Sequence, residues 1–178
     1  MIEVELRTVF DEEEHRRLEK LLKPYTIGRD DRHSLFFFYE KGLVKITNYL
    51  SKEIVKLSYK NGRAGDGNLV EIEMEIPEDK IVMFEKILDL GKPEQVQIID
   101  QNRENFLVDG VEIALKFTES WGHHLEAEIV IEDNQDEKEA EDKIRKVGKK
   151  FGIEFMSDKE INDFRESRTK FEKNRNKN

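Results

Sequence analysis

Three features of this 178-residue sequence predict an α+β domain built on a mostly antiparallel sheet. Apolar residues alternate with charged ones at period two in three separate segments, the pattern of a strand with one buried face. Four other segments carry apolar residues at helical spacing, most of them opened by a capping residue or a proline. Gly-containing turn sequences separate several of the remaining apolar runs, as hairpins require.

In the first strand Ile2, Val4 and Leu6 interleave with Glu3, Glu5 and Arg7. A helix over 11–23 follows, with Asp11 and Glu14 placed as a capping box and Leu18, Leu21 and Leu22 on one side. Strands are expected at 34–39, 43–49 and 54–60, and the apolar run from Leu35 to Tyr39 reads as a buried strand. Lys41-Gly42, Asn61-Gly62 and Gly65-Asp66-Gly67 supply turns. In the second alternating strand Val70, Ile72, Met74 and Ile76 interleave with Glu71, Glu73 and Glu75. A helix over 78–90 follows Pro77, carries Ile81, Phe84 and Leu88, and stops at Gly91. Further strands are expected at 95–100, 104–108 and 111–117, the last two joined by the hairpin signal Asp109-Gly110. The third alternating strand sets Leu125, Ala127, Ile129 and Ile131 against Glu126 and Glu128. A helix over 136–150 places Ala140, Ile144, Val147 and Phe151 on one stripe. Ser157 and Glu160 start a fourth helix with Ile161, Phe164 and Phe171 inward. With no Pro-, Gly- or Ser-rich linker and no repeat, a single domain over 1–168 is expected, followed by a charged, frayed tail at 169–178.

Composition narrows the function classes. The chain has 31 Lys and Arg against 40 Asp and Glu, a net charge of −9, and its basic residues gather toward the C-terminal end. An acidic body argues against a nucleic-acid surface. No apolar run approaches the ~20 residues of a membrane span, and the strand pattern starts at once, so no signal peptide is expected. Zero Cys excludes disulfides and thiolate metal sites, and a cytoplasmic protein is the expectation.

The polar faces of the three alternating strands are almost purely Glu: Glu3 and Glu5; Glu71, Glu73 and Glu75; Glu126 and Glu128. Like charges on neighbouring strands repel, so such faces call for cations among them. Divalent metals bound through oxygen alone (Mg²⁺, Mn²⁺ or Ca²⁺) are one compensator. Basic side chains on other strands are the second: Arg7, Lys45, Lys60, Arg103 and Lys116. A plain solvated face is the alternative reading of each motif taken alone. A sheet curled into a barrel, its apolar face under the helices, would turn the charged face into a lumen suited to a polyanion carried with its metal.

These residues resemble a known family. Glu3-Val4-Glu5-Leu6-Arg7 is similar to the E-x-E-x-K/R opening signature of the CYTH superfamily, the triphosphate tunnel metalloenzymes that include class IV adenylyl cyclases and thiamine triphosphatases. Leu57-Ser58-Tyr59-Lys60 resembles the central L-T-Y-K strand, and Glu71-Ile72-Glu73 the E-x-E after it. Arg103 resembles the Arg of the K-x-R strand, and Gly122-His123-His124-Leu125-Glu126-Ala127-Glu128 the closing G-x-F-x-E-x-E. The resemblance implies a closed antiparallel tunnel of about eight strands with helices outside. It implies Mg²⁺ or Mn²⁺ on Glu3, Glu5, Glu126 and Glu128, and a triphosphate gripped by Arg7, Lys45, Lys60 and Arg103. Glu71 and Glu73 would hold a second metal or orient the attacking water, Glu73 being the candidate catalytic group. Lys116 stands where the family often has an acid and joins the substrate-binding set. The sequence departs from the pattern at Thr47, Leu69 and Gln101, where basic residues are usual.

Metal-dependent hydrolysis of a small-molecule triphosphate, inorganic or organic, is therefore the expected function. An adenylyl cyclase and a phosphate-ligand binding protein with a decayed site are the alternatives. Both reactions depend on positioning and charge stabilisation more than on a dedicated nucleophile. Outside this pattern, His123 and His124 are expected in a loop or at the surface, since adjacent strand residues point to opposite faces and at most one could join Glu126 and Glu128. His15 and His33 are expected to be solvated. Trp121 is expected to cap the barrel or pack on a helix, stacking on a base being the other option. Gly65-Asp66-Gly67 lacks the Lys-Ser/Thr of a phosphate loop.

Overall fold

A computed structural model describes residues 2–61, 71–132 and 135–175, and of Asn61, Glu71 and 169–175 the backbone alone. Among the described residues, nine strands form an antiparallel sheet and four α-helices accompany it. The strands are β1 (Ile2–Phe10), β2 (Thr26–Arg29), β3 (Arg32–Tyr39), β4 (Gly42–Tyr49), β5 (Ile54–Asn61), β6 (Glu71–Ile76), β7 (Gln95–Val108), β8 (Val111–Thr118) and β9 (Gly122–Ile131). The helices are α1 (Glu12–Leu22), α2 (Ile81–Leu90), α3 (Glu137–Phe151) and α4 (Asp158–Arg175). The strand order is β1-β9-β8-β7-β3-β4-β5-β6, with β2 pairing β7 off this path, so β1 and β6 end the order. No described helix is long and apolar enough to cross a membrane.

The chain falls into two compact units, 1–28 with 103–178, and 29–102. In the first unit the apolar sides of β1, β7, β8 and β9 meet α1 and α3. Leu18, Leu22, Phe106, Val108, Val111, Ile113, Leu115, Leu125, Ala127, Ile144, Val147 and Phe151 form its core. The stripe read from α3 is buried as expected. Both ends of that helix are closed locally. Asp136 caps it through Lys138 N, and Gly152 at φ 70° ends it in a conformation that disfavours a side chain. Asp11 accepts from Glu14 N at 2.8 Å at the start of α1, and Ser157 and Glu160 exchange the two bonds of a capping box at α4. The hairpin turn between β7 and β8 holds Asp109 and Gly110 both at positive φ, 52° and 78°, as its sequence demands.

In the second unit the core is Phe37, Ile46, Val55 and Ile76 with α2 packed on it through Ile81, Phe84 and Leu88. The Tyr39 hydroxyl donates to the Leu88 carbonyl at 2.7 Å and ties down the end of α2. The run at 35–39 is a strand, but only its odd positions join this core; Phe36 and Phe38 point to the other face, their rings stacked 6.2 Å apart.

The structure corrects the expected elements in four places. The two strands expected at 95–100 and 104–108 are one 14-residue strand, because Gln101, Asn102 and Arg103 stay in the ladder despite their polarity. β2 is an additional strand, on a four-residue stretch too short to show a period. Leu21 is exposed, since one helical stripe accommodates Leu18 and Leu22 but turns Leu21 outward. The second helix begins with a 3₁₀ turn at Glu78–Lys80 and becomes α-helical only from Ile81. The expected turns at Gly62 and Gly65-Asp66-Gly67, position Leu69 and the Phe171 side chain lie outside the described residues.

Candidate functional site

The polar face of the first unit is organised in cross-strand rows. Glu5 of β1 stands opposite Glu128 of β9, and Glu128 opposite Glu112 of β8. The next row sets Arg7 opposite Glu126, and the one beyond sets His124 opposite Lys116. A row of carboxylates thus lies beside rows that carry cations. Three carboxylates of the acidic end, Glu3, Glu5 and Glu128, bring one oxygen each within 4.8 Å of one another, the only such trio among the described residues.

Burial and neighbouring negative charge act together on Glu128. Burial, then the charge of Glu3, with further push from Glu5 and Glu112, raises the Glu128 carboxyl to about 7, although Arg103 pulls the other way. An oxygen-only set that needs positive charge suits a hard divalent cation such as Mg²⁺ or Mn²⁺, which would supply that charge to bound phosphate oxygens. The sign of the pH effect follows. The carboxyl holds a proton in the folded state up to about pH 7 but loses it near 4.5 when unfolded. The metal-free protein should therefore lose stability as pH rises from about 4.5 through about 7. Melting curves in chelator for the wild type and Glu128→Gln check this: the wild type should fall behind the variant on going from pH 5 to pH 8. A constant gap between them would contradict the assignment.

The other end of the face is cationic. Arg7 donates to both oxygens of Glu5, at 2.5 and 2.8 Å, and lies 3.2 Å from Glu126. Its backbone carbonyl accepts from Met156 N at 2.9 Å, fixing β1 against the segment between α3 and α4. Arg103 is buried, donates to Asn105 Oδ1 at 2.6 Å, and reaches Glu112 at 3.5 Å and Glu126 at 4.0 Å. Lys116, also buried, forms an ion pair with Glu126. Glu126 therefore sits among three cations, whereas Glu3, Glu5 and Glu128 converge on each other.

In the second unit, Lys45, Lys56, Ser58, Glu73 and Thr47 share one polar face of β4, β5 and β6, with Ser58 paired between Lys45 and Glu73. Glu73 accepts from Lys56 Nζ at 2.5 Å and Ser58 Oγ at 3.3 Å. Burial pushes its carboxyl up, but the Lys56 hydrogen bond and charge, Ser58 and Lys45 outweigh it, and the net shift is downward. Such a carboxylate orients a donor better than it abstracts a proton at neutral pH. Lys60 pairs in register with Glu71, whose side chain lies outside the described residues. Thr47 is buried against Ser34, their hydroxyls 3.2 Å apart, so this position presents no cation.

Sequence reasoning passes over Glu112, Asn105 and Lys56. Glu112 and Lys116 are four apart in one strand and so share a face, but Ala114 between them breaks the charged pattern that marks the other strands. The histidines need correction as well. His124 is 4 % exposed on β9; burial lowers its pKa to about 4 against the help of the Gly122 carbonyl, and Lys116, Arg7 and His15 lower it further. It is neutral, its Nδ1–H donating to Gly122 O at 3.0 Å. His15 is half-buried rather than freely solvated: its ring lies 4.7 Å from that of His123 and 6.1 Å from Phe10. His33 is exposed and contacts Asp100 at 2.7 Å. Trp121 packs on α4, edge-on to Phe164 at 5.5 Å.

No protein-family model matches this sequence, and no curated protein matches it. Solved structures do match. The PH1819 protein of Pyrococcus horikoshii OT3 is 22% identical with a TM-score of 0.70, over 88% of this chain and 93% of that one. A proposed adenylate cyclase from Bacillus halodurans is 17% identical with a TM-score of 0.62, over 88% and 92%. HpAC1 from Hippeastrum, a proposed adenylyl cyclase described as having a dominant triphosphatase activity, is 19% identical with a TM-score of 0.62, over 86% and 89%. The fold of this chain is the CYTH type, in agreement with the ordered signature read from Glu3 to Glu128.

Proposed function

We propose that this protein hydrolyses a small-molecule triphosphate with the help of Mg²⁺ or Mn²⁺, inside the closed tunnel that its resemblance implies. The convergence of Glu3, Glu5 and Glu128 beside a cationic group of Arg7, Arg103 and Lys116 carries this reading. Glu3, Glu5 and Glu128 would hold the cation, with Glu126 at hand on the same face. The metal supplies charge neutralisation to phosphate oxygens. Arg7, Arg103 and Lys116 hold the phosphate chain, and Arg7 is the residue best placed to exchange a carboxylate partner for a phosphate. By the same resemblance, Lys45 and Lys60 take further phosphate charge, and Glu71 with Glu73 orients the attacking water. Fold likeness to proposed cyclases and to a protein with triphosphatase activity supports a triphosphate as the ligand.

A second reading is favoured by Thr47, a buried hydroxyl where a cation would strengthen the grip: a protein that binds a triphosphate without turning it over. Orthophosphate release from tripolyphosphate, thiamine triphosphate and ATP, each with Mg²⁺ and then Mn²⁺, separates the readings. Metal-dependent release is expected from at least one substrate. Thermal stabilisation by tripolyphosphate without release would establish the binder, and cyclic AMP with pyrophosphate from ATP would establish a cyclase.

A further inference from the structure

Glu126 differs from the other carboxylates of its face in what surrounds it. In register it stands between Arg7 of β1 and Ala114 of β8, so no carboxylate lies directly opposite it on either side. Glu128, one row away, stands between Glu5 and Glu112. Lys116 belongs to the row on the other side, opposite His124, yet its ammonium reaches back to pair with Glu126. Ala114 permits this: residues two apart on a strand share a face, and a methyl group there leaves room beside Glu126 for a longer neighbour. Both members of the pair are desolvated, the lysine side chain 5% exposed and the glutamate 17%. Arg7 at 3.2 Å and Arg103 at 4.0 Å complete the surround.

A divalent ion at Glu126 would therefore meet one carboxylate and three positive groups. Hard cations draw on several oxygen ligands, and like charge this close in a desolvated place outweighs a single carboxylate. The acidic end is the reverse, with Glu3, Glu5 and Glu128 each bringing an oxygen within 4.8 Å of the others. That trio with Glu112 and Glu126 makes five carboxylates, against the three cations Arg7, Arg103 and Lys116. The two negative charges left over are what one divalent ion cancels. We infer that the first unit takes one divalent ion and that Lys116 stands in the place of a second, Glu126 being the lysine's partner and not a metal ligand. This rests on the metal-dependent reading above and adds to it how the charge at this end is supplied. An ammonium can bridge a carboxylate and a phosphate oxygen as a metal ion does, with one charge instead of two. Unlike an ion it cannot dissociate, so the grip on phosphate at this end is independent of metal concentration.

Mn²⁺ binding to the full chain without phosphate, read from the electron paramagnetic resonance of the free ion, tests this. Glu128→Gln should weaken binding by about tenfold or more, the least that loss of a ligand costs. Lys116→Met combined with Glu126→Leu removes one charge of each sign, so Mn²⁺ affinity should stay within about threefold of wild type. A loss in that double variant as large as in Glu128→Gln would make Glu126 a ligand and overturn the inference. Lys116→Glu, shown to be folded by circular dichroism, should bind one Mn²⁺ more than wild type, because it exchanges the built-in cation for a second carboxylate beside Glu126. An unchanged number of ions would overturn the inference as well. A wild type that takes up no Mn²⁺ at millimolar concentration would remove the metal-dependent reading itself, and this inference with it, so the two failures are distinct.

Discussion

Glu5→Ala and Glu128→Ala are each expected to lower metal-dependent phosphate release by about a hundredfold or more while leaving the protein folded, the scale seen when one transition-state charge contact is removed. The two carboxylates stand directly opposite each other in neighbouring strands, and Glu3 converges with them. Deleting either takes away a ligand oxygen, yet it also relieves repulsion in a row that continues to Glu112. Activity and stability should therefore move in opposite directions for Glu128→Ala in chelator, where the melting temperature should hold or rise. Turnover measured against metal concentration makes the assignment sharper, because a lost ligand shifts the metal dependence before it shifts substrate affinity. Turnover unchanged in both variants would exclude this trio as the metal site. For Glu5→Ala the stability gain should be smaller, since Arg7 loses its bidentate partner at the same time.

Lys116→Met is expected to destabilise the fold by about 2–4 kcal/mol, because it leaves Glu126 charged and short of its nearest cation in a largely desolvated place. Arg7 at 3.2 Å and Arg103 at 4.0 Å remain near Glu126 and keep the loss at that scale. The double variant Lys116→Met with Glu126→Leu should recover most of the stability, since replacing both members of a buried pair by apolar groups costs little. Urea unfolding of the two single variants and the double variant reads this directly. A Lys116→Met protein within about 0.5 kcal/mol of wild type would show that Glu126 is neutralised without Lys116. Recovered stability should not bring recovered activity, because the double variant still lacks the cation that the proposed function assigns to the phosphate chain.

Much of the fold is legible in the sequence for a simple reason. Period-two and period-3.6 patterns are local consequences of which side of an element meets the core, and α3 shows all four of its stripe residues buried where the spacing puts them. Caps and the Asp109-Gly110 turn are legible for the same reason: their hydrogen bonds and dihedral angles span only three or four residues. β7 is harder, because Gln101, Asn102 and Arg103 look like a loop until strand pairing, as of Gln101 with Arg32 of β3, carries the ladder through them. His15 and His124 escape sequence reasoning because burial is a property of what other elements bring: Phe10 and His123 enclose the first, and Trp121 and Lys116 crowd the second.

The site divides along the same line. From the amino-acid order alone come the acidic faces, their need for positive charge, and the signature that joins Glu3 to Glu128 across the length of the domain. Register decides the rest, since only strand pairing sets Glu5 against Glu128 and Glu112, gathers Glu126 to Lys116, Arg7 and Arg103, and so separates a carboxylate cluster from a cationic one. Charge interactions fall off with distance and strengthen with burial, and neither quantity exists until distant strands lie side by side.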